Sequence, residues 1–179
     1  MRHGSESGIR RRRPPRTLTA VTAKKFVLGP DDERALAKTL FNGVWELLER
    51  TDRSQDDDDR MLHMAHASRY HWGQAPLPAT LARGEWLCAR VYAVLQRAEP
   101  SAYHAQRVLD LCRREGIGDW DLAFAYEALA RASAVAGDAA AARTYTEQAL
   151  AAAENIAETG DRELLLADLE TIPGQPQFW

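Results

Sequence analysis

The sequence predicts an all-α chain of about seven antiparallel helices stacked as helical hairpins, and three observations carry that prediction. The 179 residues hold 31 alanines and 20 leucines against 7 valines and 4 isoleucines. Ala and Leu lose little conformational freedom in a helix, whereas β-branched residues lose more there and suit strands. Apolar residues recur at three- and four-residue spacings, and no segment alternates with period two. The connections are short, so consecutive helices fold back as antiparallel neighbours.

Each helix has its own start and stop signals. The first is expected over about 31–50, opened by Pro30 and Asp31, with Leu36, Leu40, Val44, Leu47 and Leu48 on one face. The second covers about 55–72 and stops at Gly73 and the Pro76/Pro78 pair. Asp56, Asp57, Asp58 and Asp59 open it, where negative charge suits the positive end of the helix dipole. They lack the alternating spacing, central glycine and distal glutamate of a calcium loop. The third spans about 79–97 and ends before Pro100; Ser101 caps a fourth that reaches about 115, stopped by Gly116 and Gly118. The fifth runs from Asp119 to about 136, the sixth over about 139–158, and a short seventh over about 161–170.

Length and charge set the organisation. The chain suits one compact domain, here 31–172, between an arm at 1–30 and a tail at 173–179. Residues 1–25 carry eight Arg or Lys and one Glu, a charge of +7, and the remainder carries −10, giving the net −3. Arg10 to Arg13, Pro14, Pro15 and Arg16 cannot build a helix with a buried face, so a disordered basic arm is expected. The tract that follows is broken by threonines and closed by Lys24 and Lys25, unlike the continuous apolar stretch of a secretory signal. The acidic body argues against a nucleic-acid partner except through the arm. No stretch approaches the roughly 18 apolar residues of a membrane span. Cys88 and Cys112 have no metal-ligand spacing, and free thiols packed as small hydrophobes are expected, in keeping with a cytoplasmic location. Trp45, Trp72, Trp86 and Trp120 are expected to pack between helices, and Phe178 with Trp179 to dock as an apolar plug.

The hairpins repeat at an offset of 40, which pairs Trp86 with Tyr126, Ala89 with Leu129, Ala93 with Ser133, Ala102 with Ala142 and Leu109 with Ala149. An aromatic begins each first helix, and small residues let the two helix axes approach. Tyr126, Leu129, Ala130, Gly137-Asp138, Ala142 and Ala149-Leu150 make this stretch resemble the tetratricopeptide repeat family. In the first unit Trp86, Ala89, Ala93, Ala102 and Leu109 carry the likeness, but Arg90 replaces a small residue and the turn reads Glu99-Pro100. The period exceeds the family's usual 34, and the likeness covers about 81–156. Trp45 lies 41 residues before Trp86, so the first two helices form a degenerate third pair. The resemblance implies a stacked α-solenoid, a right-handed superhelix whose concave face holds a peptide or protein partner. The string from Ala65 to Trp72, with Arg83-Gly84-Glu85-Trp86 and Arg90-Val91-Tyr92, is also similar to a family of small uncharacterised bacterial proteins, which implies no activity.

Two constellations can carry chemistry. His63 and His66 lie about 60° apart on a helix, with Asp59 one turn before His63, so the three can present metal ligands on one face. His104 or Glu127 would complete the sphere; alternatively the histidines pack with Met61, Met64 and Tyr70. The second set is Arg69, Arg90, Glu127 and Arg131, long polar residues within apolar stripes, with Glu127 and Arg131 at ion-pair spacing. With His71 and His104 they either line a pocket for an anionic small molecule or form an ion-pair network between hairpins. No nucleophile elbow, phosphate loop or dinucleotide fingerprint is present. The expected function is a non-catalytic interaction module, without cofactor, that binds a protein or peptide or self-associates. The alternative is a small enzyme or ligand-binding protein using a divalent transition metal.

Overall fold

The computed structural model describes residues 27–174, and within them it is all-helical: α1 (Pro30–Leu48), α2 (Gln55–Gln74), α3 (Pro78–Val94), α4 (Ala98–Glu115), α5 (Asp119–Val135), α6 (Ala139–Ala153) and α7 (Thr159–Glu170). Of the basic arm only 27–30 are described, and Phe178 and Trp179 lie outside the described residues. Three hairpins, α1–α2, α3–α4 and α5–α6, stack in chain order, and α7 packs on α5 and α6. α3 lies at the centre, touching α1, α2, α4 and α5.

Local chemistry accounts for the helix starts. Pro30 stands in the first turn of α1 with Asp31, Asp32 and Glu33 beside it. There the missing N–H costs nothing and the acids meet the positive end of the dipole. Ser54 and Asp57 form a capping box at α2: Ser54 Oγ accepts from Asp57 N at 3.2 Å, and Asp57 Oδ2 accepts from Ser54 N at 3.0 Å. Asp138 accepts from Ala141 N at 2.9 Å to cap α6.

Four boundaries differ from expectation, one of them the end of α3, at Val94 and not about 97. α4 starts at Ala98, not after a Ser101 cap, because Pro100 falls in the first turn, where its backbone nitrogen has no acceptor to serve. Ser101 is instead buried inside the helix and donates Oγ–H to Ala89 O at 2.9 Å. α6 stops at Ala153, earlier than expected, and the turn after it is tied to the start of α5, where Asp119 Oδ1 accepts from Ala157 N at 3.1 Å. Thr159 and Gly160, expected as a break, open α7.

The repeat offset also needs correction. α3 and α5 begin at 78 and 119 and end at 94 and 135, while α4 and α6 begin at 98 and 139, a recurrence of 41 residues. In that register Ala89 matches Ala130, Ser101 matches Ala142, Ala105 matches Thr146 and Val108 matches Ala149, and all of these are buried. Ala102, expected at the close approach, is exposed. Arg90 no longer occupies a small-residue position; Ala89 does. Glu85, not Trp86, stands where the next hairpin places Tyr126.

The core runs through the stack in three adjoining parts. Val44, Leu47, Met61, Ala65, Leu87 and Val91 join α1, α2 and α3. Ala89, Ala105, Val108, Cys112, Ala125 and Leu129 join α3, α4 and α5. Ala130, Ala149, Ala153, Leu165, Leu169 and Ile172 join α5, α6 and α7. Fully burying a side chain such as Leu87 or Leu165 contributes about 1.5–3 kcal/mol. Cys88 and Cys112 are free and buried, and burial pushes their thiols up to about 12 and about 11.

Candidate functional site

α3 presents two stripes of chemically capable side chains. Glu85, Cys88 and Tyr92, spaced by three and four residues, share one face. Arg83, Trp86 and Arg90, with the same spacing, share another.

The first stripe lies between α2 and α4. Glu85 is 3% exposed and is the hub. It accepts from Arg69 Nε at 2.8 Å, Arg107 Nε at 2.9 Å and His104 Nδ1 at 2.6 Å. Burial raises the carboxyl's proton affinity, but the hydrogen bonds from His104 and Arg107 and the charge of Arg69 outweigh it and hold its pKa down at about 2. Gly84 permits this arrangement, since a Cβ there would stand 2.8 Å from Arg69 Cδ and 3.3 Å from Arg69 Cα. One turn along α3, the ligand atoms of Cys88, His66 and His104 lie within 4.8 Å of one another. His66 Nε2 is 2.8 Å from Tyr92 Oη, and the Tyr92 ring stacks on His104 with centroids 5.6 Å apart. Burial, then the neighbouring His104, lower the pKa of His66 and favour its neutral ring.

The second stripe faces α1, α5 and α7. Glu127 is completely buried and accepts from Arg90 Nη1 at 3.1 Å, Arg131 Nε at 2.6 Å and Trp86 Nε1 at 3.2 Å. Arg90 Nη2 reaches Asp168 Oδ1 at 2.7 Å, and Arg131 Nη2 reaches the Asp168 carbonyl at 2.7 Å and Thr171 Oγ1 at 2.8 Å. Two guanidinium groups thus answer two carboxylates and lock α7 onto α5. Burial and the nearby Glu127 charge raise the Asp168 pKa, against the pull of Arg90. Toward the start of the same face, Arg83 makes a paired contact with Asp121, both at 2.9 Å, and lies 4.3 Å over the Trp120 ring. That hydrogen-bonded partner raises the Arg83 pKa.

An aromatic row continues from there. Trp45 stacks on Trp86 at 5.7 Å, Trp86 meets Phe124 edge-on at 5.6 Å, and Phe124 meets Trp120 edge-on at 5.7 Å. Two adjoining cavities share Phe41 and Arg83. One, about 50 Å³, lies over Trp86, Trp120 and Phe124; the other, about 270 Å³, opens between Lys38, Asn42, Trp72 and Thr80.

The residues singled out from sequence therefore fall into separate places. Arg69 and His104 converge on Glu85; Arg90 and Arg131 converge on Glu127 as an ion-pair network, which Arg90 extends to Asp168; His71 stands apart, its Nδ1 2.6 Å from Glu33 Oε2 between α1 and α2. The six do not line one pocket. His66 turns to Cys88 and His104, whereas Asp59 and His63 are exposed on α2. Glu85, Cys88, Tyr92, Arg107 and Asp168 were not foreseen. The signal available was the 41-residue register, in which Glu85 occupies an aromatic's position. No protein-family model matches the chain, and a search of curated proteins finds no matching sequence.

Proposed function

We propose that the chain is a non-catalytic helical-repeat module that binds an extended segment of a partner protein in the groove lined by α1, α3 and α5. The observation that carries this reading is the row of Phe41, Trp86, Trp120 and Phe124 beside a cavity of about 270 Å³. That volume is below the roughly 300–1,000 Å³ usual for small-molecule sites, and it suits one large apolar side chain anchored from a chain segment. Asn42 and Thr80 at its rim can hydrogen-bond a peptide backbone, and Lys38 favours a carboxylate nearby. The likeness of the α5–α6 hairpin to tetratricopeptide repeats supports the same use of the first helices. A cytoplasmic location belongs to this reading, through the two free thiols; no described helix is long and apolar enough to cross a membrane.

The test is selection from a random peptide library on the full chain, followed by titration of the enriched peptides. Sequences with an apolar anchor and a flanking acid are expected, with binding lost in Phe41→Ser and weakened in Lys38→Glu. Peptides that bind the Phe41→Ser variant as well as the parent would refute the groove. A dimer in sedimentation that dissociates on Phe41→Ser would give the groove to a second copy of the chain.

A further inference from the structure

We propose that His66, Cys88 and His104 form a binding site for a divalent transition metal of the zinc class, with Glu85 and Tyr92 as outer partners that aim the two imidazoles. The three ligands come from α2, α3 and α4, so the site spans the first two hairpins and needs the stacked fold. Their ligand atoms lie within 4.8 Å of one another. A tetrahedral zinc with nitrogen and sulfur ligands at 2.0–2.3 Å places those atoms about 3.5 Å apart, so small side-chain rotations close the shell.

Two features separate this cluster from a chance meeting of polar groups. Metal-binding histidines commonly give their second ring nitrogen to a carboxylate or another oxygen partner, which orients the ring. Both histidines have such a partner. His104 turns Nδ1 to Glu85, leaving Nε2 for a metal, and His66 Nε2 meets Tyr92 Oη, so Nδ1 can serve when Nε2 donates. The second feature is the place of Glu85. The following hairpin fills that register position with Tyr126, and a carboxylate there contributes little to packing. It contributes orientation to His104, held in turn by Arg69 and Arg107. One thiolate with two imidazoles is a donor set for zinc, cobalt or copper, not for magnesium or calcium. Three protein ligands leave a fourth position for water. Binding transfers the Cys88 proton to solvent as the sulfur–metal bond forms.

The experiment titrates Co²⁺ into the full, untagged chain and reads the thiolate-to-cobalt charge-transfer absorption, then displaces it with Zn²⁺. One equivalent is expected to develop the band, which disappears in Cys88→Ser and His104→Ala and persists in His63→Ala and Cys112→Ser. Glu85→Gln should weaken binding by about 10- to 100-fold, as loss of an outer partner does. X-ray absorption of the zinc-loaded parent protein keeps the test independent of how the variants fold, and one sulfur in the shell is expected. No band at one equivalent, a band that survives Cys88→Ser, or a sulfur-free zinc shell would overturn the site.

Discussion

Replacing Glu85 by Gln tests whether this residue is the electrostatic hub of the first two hairpins. The carboxylate is buried and accepts from Arg69, His104 and Arg107, and its pKa is held at about 2 against an ordinary 4.5. At about 1.4 kcal/mol per pH unit, the difference corresponds to roughly 3 kcal/mol at neutral pH. Gln keeps one acceptor oxygen but turns an N–H₂ toward a donor and leaves the surrounding cations without a countercharge, so the expected loss at pH 7 is about 3–5 kcal/mol. The sign of the pH dependence follows from the lowered pKa. Between the folded and unfolded values the unfolded chain binds more protons, so the contribution is complete above about pH 4.5 and is lost as pH falls toward 2. Urea unfolding of both proteins at pH 7, 5, 4 and 3 measures the gap directly. It should be full at pH 7 and smaller by about 2 kcal/mol at pH 3. A gap that stays constant to pH 3, or one below about 1 kcal/mol at pH 7, would refute the reasoning.

Two further outcomes follow from the same structure. Glu127→Gln leaves Arg90 and Arg131 facing Asp168 with half of their negative charge removed, and should cost about 3–5 kcal/mol, read by denaturant unfolding. In that variant the contact of α7 with α5 should weaken first, seen as faster hydrogen exchange at Leu165 and Leu169 than at Leu87. Tyr126→Ala removes a half-buried ring that packs against the two core regions on either side of α5, and should cost about 2–3 kcal/mol, less than for a fully buried aromatic. At about 2–4 °C per kcal/mol the melting temperature should fall by roughly 5–10 °C, and an unchanged value would place Tyr126 outside the packing.

The helices were legible because their signals are local. The Pro30–Asp31 start, the Asp run that opens α2, and the stops at Gly116 and Gly137 all act within one turn of the residues concerned. Ala89, Ala130, Ala142 and Ala149 were legible as small residues at close-approach positions, and all four are buried. The register was not, and the reason is angular. One residue rotates a helix by about 100°, so an offset of 40 pairs Trp86 with Tyr126 while 41 brings Glu85 to that position. The matching of two aromatics is a strong pattern in the chain and a misleading one in space.

What the sequence alone determined, then, is a helical chain whose apolar stripes and breakers define seven segments and whose small residues demand tight hairpins. The tertiary structure alone decided which polar residues became buried and with whom. Glu85 reads in the chain as an ordinary surface acid next to Trp86; it is buried because α2 and α4 close over α3 from opposite sides and bring three donors to it. Arg90, Glu127 and Arg131 were legible as one set with an ion-pair network between hairpins as one reading, and Arg90 and Arg131 do meet on Glu127; Asp168 was not part of that set. The packing of α7 on α5 adds Asp168 to that network through Arg90. Burial and charge compensation are properties of the packed neighbourhood, and a linear sequence records neither.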